Sequence, residues 1–381
     1  MRIYLDNAAT TAMDPEVFEA MKPYFMEQYG NPSSIHTHGR QAKAAIERSR
    51  RQIAGYLNAA PSEIFFTSGG TEADNTALRC SVDTMKIKHA ITSKIEHHAV
   101  LHSLELLEKK GKIKLSFVPL DEKGHIEMDY LESWLKEHPK ALVSLMHANN
   151  EIGNLNDIEK IGEMCAETGA IFHSDTVQAV GHYRHDLQNL KLHCMVGSAH
   201  KFHGPKGTGF LYINSDHQID PFIHGGSQER NMRGGTENVA GIVGLAKAFE
   251  LAYKNMDEHR KHIEGLKQHM INRIKEGIEG VVFNGDSANL ERSLYTVLNV
   301  CLPPSDENEM LHFSLDINKV SASGGSACSS GSQVGSHVLT ALERDPRRGA
   351  VRFSFSKFNT IEEIDFAVDR LAEIVVETQP V

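Results

Sequence analysis

"ALVSLMHANNEIGNLNDIEKIGEMCAETGAIFHSD" (residues 141–175) decides the fold. It opens on an apolar run, "ALVSLMHAN" (141–149). It passes through a helical pattern, "DIEKIGEMCAETG" (157–169), and closes on a second apolar run, "AIFHSD" (170–175). Apolar run, amphipathic helix, apolar run is the signature of two parallel strands joined by a crossover helix. The alternation continues outward on both sides, over residues 60 to 215. "EIFFTS" (63–68), "HAITS" (89–93), "LSFVPL" (115–120), "HCMVGSAH" (193–200) and "GFLYIN" (209–214) bring the strands to seven. The expected fold class is therefore α/β, with a mostly parallel, doubly wound seven-stranded sheet in a large domain. Such a sheet takes its ligand at the carboxyl ends of its strands.

The pattern changes after residue 240. "AGIVGLAKAFELAYKNMDEHRKHIEGLKQHMINRIKEGI" (240–278) reads as one long amphipathic helix that leads out of the large domain. Strands at "SLYTVLNVCL" (293–302) and "AVRFSFS" (350–356) and a last helix, "TIEEIDFAVDRLAEIVVET" (360–378), make a smaller α/β C-terminal domain. The expected division is an N-terminal arm at 1–15 that joins the small domain, a large domain at 16–258 and a small one at 259–381.

Composition narrows the function classes. The chain has 381 residues, 40% hydrophobic and 24% charged, with a formal charge of -10. No basic patch is evident, so a nucleic-acid partner is not expected. "RSRRQIAGYL" (48–57) is basic, but it reads as the solvated face of a helix. No run approaches the length of a membrane span, and "MRIYLDNAATT" lacks the apolar region of a signal peptide. The five cysteines, Cys80, Cys165, Cys194, Cys301 and Cys328, are odd in number and none forms a CxxC pair. That pattern points to a reduced, cytoplasmic protein without a disulfide framework. His97–His98 and His200…His203 have no further ligands beside them in the sequence, so no metal is expected.

Three stretches carry chemistry. In "FFTSGGTEADNTAL" (65–78) a strand runs through Ser-Gly-Gly-Thr into a helix. Glycines allow close backbone approach, and free N–H groups at a helix start attract phosphate. The plain alternative is a strand–helix turn capped by Thr71. Asp175 closes the strand "AIFHSD", where it either caps the next helix or pairs with a buried cation. Lys201 sits in "GSAHKFHGPKGTG" (197–209), just past a strand end. A lysine held in a crevice can form an imine. A phosphate cradle, a strand-end aspartate and a crevice lysine together point to pyridoxal phosphate, which needs the amine and an acid facing its ring nitrogen. His97 in "SKIEHHAV" (93–100) adds an imidazole that could stack on the ring and move protons.

With these motifs the chain resembles the cysteine desulfurases of the NifS/IscS kind (group I), within the class V aminotransferase superfamily of fold-type I pyridoxal-phosphate enzymes. The resemblance spans nearly the whole chain. It runs through "YLDNAATT" (4–11), "GNPSSIHTHG" (30–39), "NNEIG" (149–153), "HSDTVQAVG" (173–181), "HGGSQERNMRGGTEN" (224–238), "GSACSSGS" (325–332) and "VRFSFSKFNTIEEID" (351–365). It implies that Lys201 is the Schiff-base lysine, that Asp175 faces the pyridinium nitrogen and that Gln178 bonds the phenolate oxygen. It implies that His97 stacks on the ring and that Gly70, Thr71, Ser198 and His200 hold the phosphate. Thr236 would reach the phosphate of a neighbouring subunit, which implies a homodimer. Asn150 and Arg352 would hold the substrate carboxylate; the guanidinium fork suits that task. The segment "DPRRGAVRFS" (345–354) departs from the serines that several members carry there, while Arg352 itself matches.

The resemblance also explains a cysteine set among small residues, "SASGGSACSSGS" (321–332). Structural cysteines pack among apolar neighbours; Cys328 has none in its sequence, and a solvent-reachable loop is expected. Cys328 would be the nucleophile that takes sulfur from L-cysteine, with alanine as product and a persulfide passed to a sulfur-acceptor protein for iron–sulfur cluster assembly or thiolation. The other four cysteines are expected to be structural. A selenocysteine lyase, a transaminase of the same superfamily and a non-catalytic regulator are the competing readings.

Overall fold

The computed structural model describes residues 2–325, 335–345 and 347–377. The alternating segments fold into one sheet: β1 (Ile64–Thr67), β2 (His89–Thr92), β3 (Lys114–Phe117), β4 (Leu142–Ser144), β5 (Ile171–Asp175), β6 (Cys194–Ser198) and β7 (Gly209–Ile213). Their order is β1-β7-β6-β5-β4-β2-β3. Every neighbouring pair from β6 to β3 is parallel, and β7 runs antiparallel to both β6 and β1. The helices α1 (Thr37–Leu57), α2 (Gly70–Met85), α3 (His98–Lys109), α4 (Met128–Glu137) and α5 (Ile158–Thr168) follow or precede these strands.

Side chains alternate along the strands and feed two apolar layers. Ile91, Val143, Phe172 and Met195 pack with α1, α4 and α5 on one face. Ala90 and Leu142 pack with Leu78 and Val82 of α2 and Val100 and Leu104 of α3 on the other. The expected doubly wound architecture is thus observed. It leaves the carboxyl ends of β4, β5 and β6 on one rim, where the cavity described below opens.

The expected single helix at 240–278 is two: α6 (Val239–Lys254) and α7 (Met256–Gly277). Asn255 breaks them with φ -107° and ψ 16°. Asparagine competes with the helix for backbone hydrogen bonds, and the two halves bury their faces in different places. Leu245 and Phe249 of α6 join the sheet core. Ile263, Leu266, Met270 and Ile274 of α7 join a second core. That core is built on a three-stranded antiparallel sheet of β8 (Val282–Phe283), β9 (Val297–Pro304) and β10 (Arg348–Ser354), with β9 in the middle. The last helix, α8 (Ile361–Glu377), covers it with Ile364 and Leu371.

The N-terminal segment crosses to this second core. Ile3 and Tyr4 pair in parallel with Val320 and Ser321, and Asp6 bridges to Ser354. Ile3 and Leu5 are buried there. Cys80, Cys165, Cys194 and Cys301 are free and buried. Cys328 lies outside the described residues. Among the described residues no helix is long and apolar enough to cross a membrane.

Candidate active site

A cavity of about 210 Å³ opens at the strand ends. Its amine comes from the connection between β6 and β7. The chain leaves β6 at Ser198 and makes one tight turn over Ala199–Lys201, closed by Ala199 N–H to Thr208 O at 3.0 Å and Gly204 N–H to Ala199 O at 2.8 Å. That turn aims Lys201 at the N-terminal segment, where Nζ donates to Ala8 O at 2.5 Å and Ala9 O at 3.0 Å. Asp175 is the last residue of β5, and its Oδ1 accepts from Val177 N–H at 2.9 Å. Gln178, one turn further, donates from Nε2 to Ala8 O at 3.0 Å. The same carbonyl therefore ties Lys201 and Gln178 together.

The opposite end suits an anion. Gly69 has φ +149° and ψ -174°, a conformation open essentially to glycine alone, and α2 starts at Gly70. The first N–H groups of a helix have no partner within it and carry its positive dipole end. A Cβ on Gly70 would lie 2.8 Å from Val177 Cγ2, so only glycine leaves this edge of the cavity open. Thr71, Ser198 and His200 line the same part of the cavity. His200 Nδ1 lies 3.2 Å from Thr10 Oγ1, and burial, with help from Lys201 and Lys206, pushes this imidazole down to about 4. At neutral pH it offers a hydrogen bond without a charge.

The third side holds Arg352, Asn150 and His97. Arg352 stands in β10 and is 1% exposed. Its Nη1 donates to Asn150 O at 2.8 Å and its Nη2 to Asp6 Oδ1 at 2.9 Å, while Nε has no hydrogen-bond partner. His97 caps α3: its Nδ1 accepts from Ala99 N–H at 3.2 Å, so Nε2 is the nitrogen that carries the proton. Burial pushes His97 below its usual range, although Asp175 pulls the other way. Asp74, His97 and Asp175 each place a ligand atom within 4.8 Å of the others. Burial, then the charges of Asp175 and Glu96, raise the Asp74 carboxyl well above the usual carboxylate range; His173 Nε2 lies 3.2 Å from its Oδ1.

Ten residues singled out in the sequence line this cavity: Gly70, Thr71, His97, Asn150, Asp175, Gln178, Ser198, His200, Lys201 and Arg352. Asn150 meets Arg352 through its backbone carbonyl. Thr236 does not line the cavity; it is exposed on the loop between β7 and α6. Four contributors were missed. Ala8 and Ala9 act through backbone carbonyls, which no side-chain pattern reports. Asp6 stands in the quoted "YLDNAATT" but meets its arginine 346 positions later. Asp74 stands one turn into α2, on the face turned to the sheet, a position its i+4 spacing from Gly70 could have marked.

Residues 3–366 match the family described as aminotransferase class-V. The chain belongs to the class-V aminotransferase family. Members of this family are pyridoxal-phosphate-dependent enzymes. A relative named cysteine desulfurase IscS, from Clostridium botulinum (strain Hall), is 42% identical over 378 residues, covering 98% of this chain and 94% of the relative. A solved structure described as a NifS-like protein superposes with a TM-score of 0.90 at 37% identity, covering 99% of this chain and all of its own. Another, described as SspA in complex with cysteine, gives 0.81 at 31% identity over 94% of this chain.

The donor set fits the family's cofactor. One end of the cavity offers neutral donors to a phosphate, a carboxylate closes the central strand, and a lysine amine lies between them. Arg352 Nε, a buried polar atom without a hydrogen-bond partner, belongs to a residue that lines the cavity. Buried polar atoms are rarely left so, and a polar ligand in the cavity would satisfy it.

Proposed function

We propose that the chain is a pyridoxal-phosphate-dependent L-cysteine desulfurase. It converts L-cysteine to L-alanine and leaves the sulfur on Cys328 as a persulfide, which a sulfur-acceptor protein removes for iron–sulfur cluster assembly or thiolation. The observation that carries the reading is one cavity lined at once by Lys201, Asp175, His97 and Arg352. The names of the relatives support the same substrate.

Lys201 would hold the cofactor. Asp175 would serve its ring nitrogen, Gln178 its phenolic oxygen, and Gly70, Thr71, Ser198 and His200 its phosphate. His97 would stack on the ring. When bound, pyridoxal phosphate supplies an electron sink for negative charge at the α-carbon of the substrate. The chain does the rest. Arg352 holds the substrate carboxylate, with Asn150 beside it; Asn150 O and Asp6 take one N–H each of Nη1 and Nη2, so Nε–H and the second N–H of each Nη are left for a ligand. Lys201, as a neutral amine, takes the α-proton. His97, with Nδ1 fixed, exchanges a proton through Nε2. The Cys328 thiolate attacks the substrate sulfur; the Cβ–S bond breaks and its electron pair stays on the three-carbon fragment. That fragment takes up one proton at its β-carbon, recovers the α-proton from Lys201 and leaves as alanine, and the sulfur stays as Cys328–S–SH.

The division into an arm at 1–15, a large domain at 16–258 and a small one at 259–381 belongs to the same proposal. The two separate apolar cores support it. A cytoplasmic location and a homodimer in which Thr236 serves the neighbour's phosphate site are further parts of the proposal. The decisive experiment measures alanine and sulfide from L-cysteine with a reductant present, for wild type and Cys328→Ala. Wild type is expected to make both products, and the variant neither while keeping the yellow of bound cofactor. Turnover by the variant would exclude Cys328 as the sulfur acceptor and favour the lyase or transaminase reading.

A further inference from the structure

Glu229, Arg230 and Asn231 have φ of 43°, 56° and 68°. L-residues visit the left-handed region singly and at a cost, so three in a row must be held from outside. The hold is Arg50, on α1. Arg50 is 1% exposed and Glu229 2%. Two parallel contacts join them, Nη1 to Oε2 and Nη2 to Oε1, each at 2.7 Å. This is the two-pronged fork that fixes geometry as well as charge.

The same groups finish the free edge of β1. Phe66 N–H donates to Glu229 Oε2 at 2.8 Å. Ile64 O accepts from Arg50 Nη1 at 2.7 Å and from Arg230 Nη2 at 2.7 Å. The two guanidiniums lie 4.7 Å from the rings of Phe66 and Phe65. An ion pair thus stands where an eighth strand would pair.

Away from this point Arg233 pairs with Glu72 of α2, Nε to Oε1 at 3.0 Å and Nη2 to Oε2 at 3.3 Å, and Lys43 of α1 lies 3.7 Å from Glu237, while the tip of the loop is open. Its two stems touch: Gly234 N–H donates to Ile223 O at 2.9 Å, and a Cβ on Gly234 would lie 2.7 Å from Gly225 Cα. His224 to Ser227, Gly235 and Thr236 are exposed. No residue of 224–238 lines the cavity of its own chain. A buried ion pair is a poor way to gain stability alone. A buried pair gripping a left-handed run is a way to fix where a loop points.

We propose that Arg50 and Glu229 are positioning residues: they hold 224–238 as an arm that delivers Thr236 to the phosphate end of the cavity in a second copy of the chain. This rests on the cofactor reading above. The test compares pyridoxal phosphate dissociation constants, from the absorbance of the bound cofactor. The double variant Arg50→Met, Glu229→Gln removes both charges together and leaves no unpaired buried charge. It is expected to fold and to bind the cofactor about tenfold more weakly or worse. Arg50→Lys keeps the charge without the fork, is a second foldable probe, and is expected to weaken binding in the same direction.

The discriminating measurement uses hybrids of the double variant with Lys201→Ala, isolated by two different tags. In such a hybrid the only pocket with a lysine faces an intact arm from its partner. Recovery of wild-type affinity in that pocket is expected, and a defect of folding alone could not be repaired in this way. Affinity that stays weak in the hybrid would mean that the arm acts within its own chain, and wild-type affinity in the double variant would mean that the pair only caps the strand; each overturns the proposal. A wild-type chain that takes up no cofactor overturns the underlying reading, and is seen before any variant is made.

Discussion

Arg352 shows how much a residue's role depends on what surrounds it. As an arginine in a strand it would ordinarily make a surface ion pair; here it is buried, with Asp6 and Asn150 O on its two Nη groups. Lysine cannot reproduce that fork. Arg352→Lys is therefore expected to raise KM for L-cysteine about tenfold or more, with a smaller effect on kcat, as steady-state kinetics will read. Lys201→Ala should lose the yellow of bound cofactor and lower alanine production by about 10²–10⁴-fold, measured under single-turnover conditions. Asp175 and Lys201 were legible because one closes a strand and the other follows a strand end by three residues, and strand patterns are local. Asp6 was not, because nothing near "YLDNAATT" reports an arginine in β10. The raised Asp74 carboxyl and the lowered His200 imidazole both owe their shifts first to burial, which follows from the assembled fold.

At the scale of elements, α7 carries an unusual cargo. Lys267 is fully buried and donates from Nζ to Ser293 Oγ at 2.9 Å and Leu294 O at 3.0 Å. Burial pushes its amine down from 10.5 to about 7. Between about pH 7 and 10.5 the unfolded chain binds more protons at this site than the folded one, so stability rises with pH across that window. Below about pH 7 the penalty is complete. Lys267→Met is expected to raise Tm at pH 7 and to flatten the rise in Tm between pH 7 and 10, as calorimetry will show. The turn from β1 into α2 makes the opposite case. Gly69→Ala places a side chain at φ +149° and should cost about 1–3 kcal/mol, read as a lower Tm with looser cofactor binding. The strands and α1 to α5 were legible because apolar period and length are local properties. The break at Asn255 was not, because the periodicity runs on through it while the partner core changes.

Across the whole molecule, two apolar cores meet at one cavity, and a ligand there binds parts of both. Arg352 comes from the second core, Lys201 and Asp175 from the first. Pyridoxal phosphate at a hundred times its dissociation constant should stabilise the fold by about 2.7 kcal/mol. Tm should therefore rise with cofactor concentration, and much less in Lys201→Ala; equal shifts would argue that the lysine is dispensable for binding. The doubly wound sheet could be read ahead of the structure because strand–helix alternation admits few topologies. The crossing of residues 3–9 into both halves could not, since pairing over such a distance leaves no local trace. That crossing also has a consequence in time. On the ribosome Arg352 follows Asp6 by 346 positions. At about 5–20 residues per second this is a wait of about 17–70 s. The segment that carries Asp6 must stay available, without this partner, over that interval. A nascent chain cut short before Arg352 carries Lys201 without the guanidinium that completes its site.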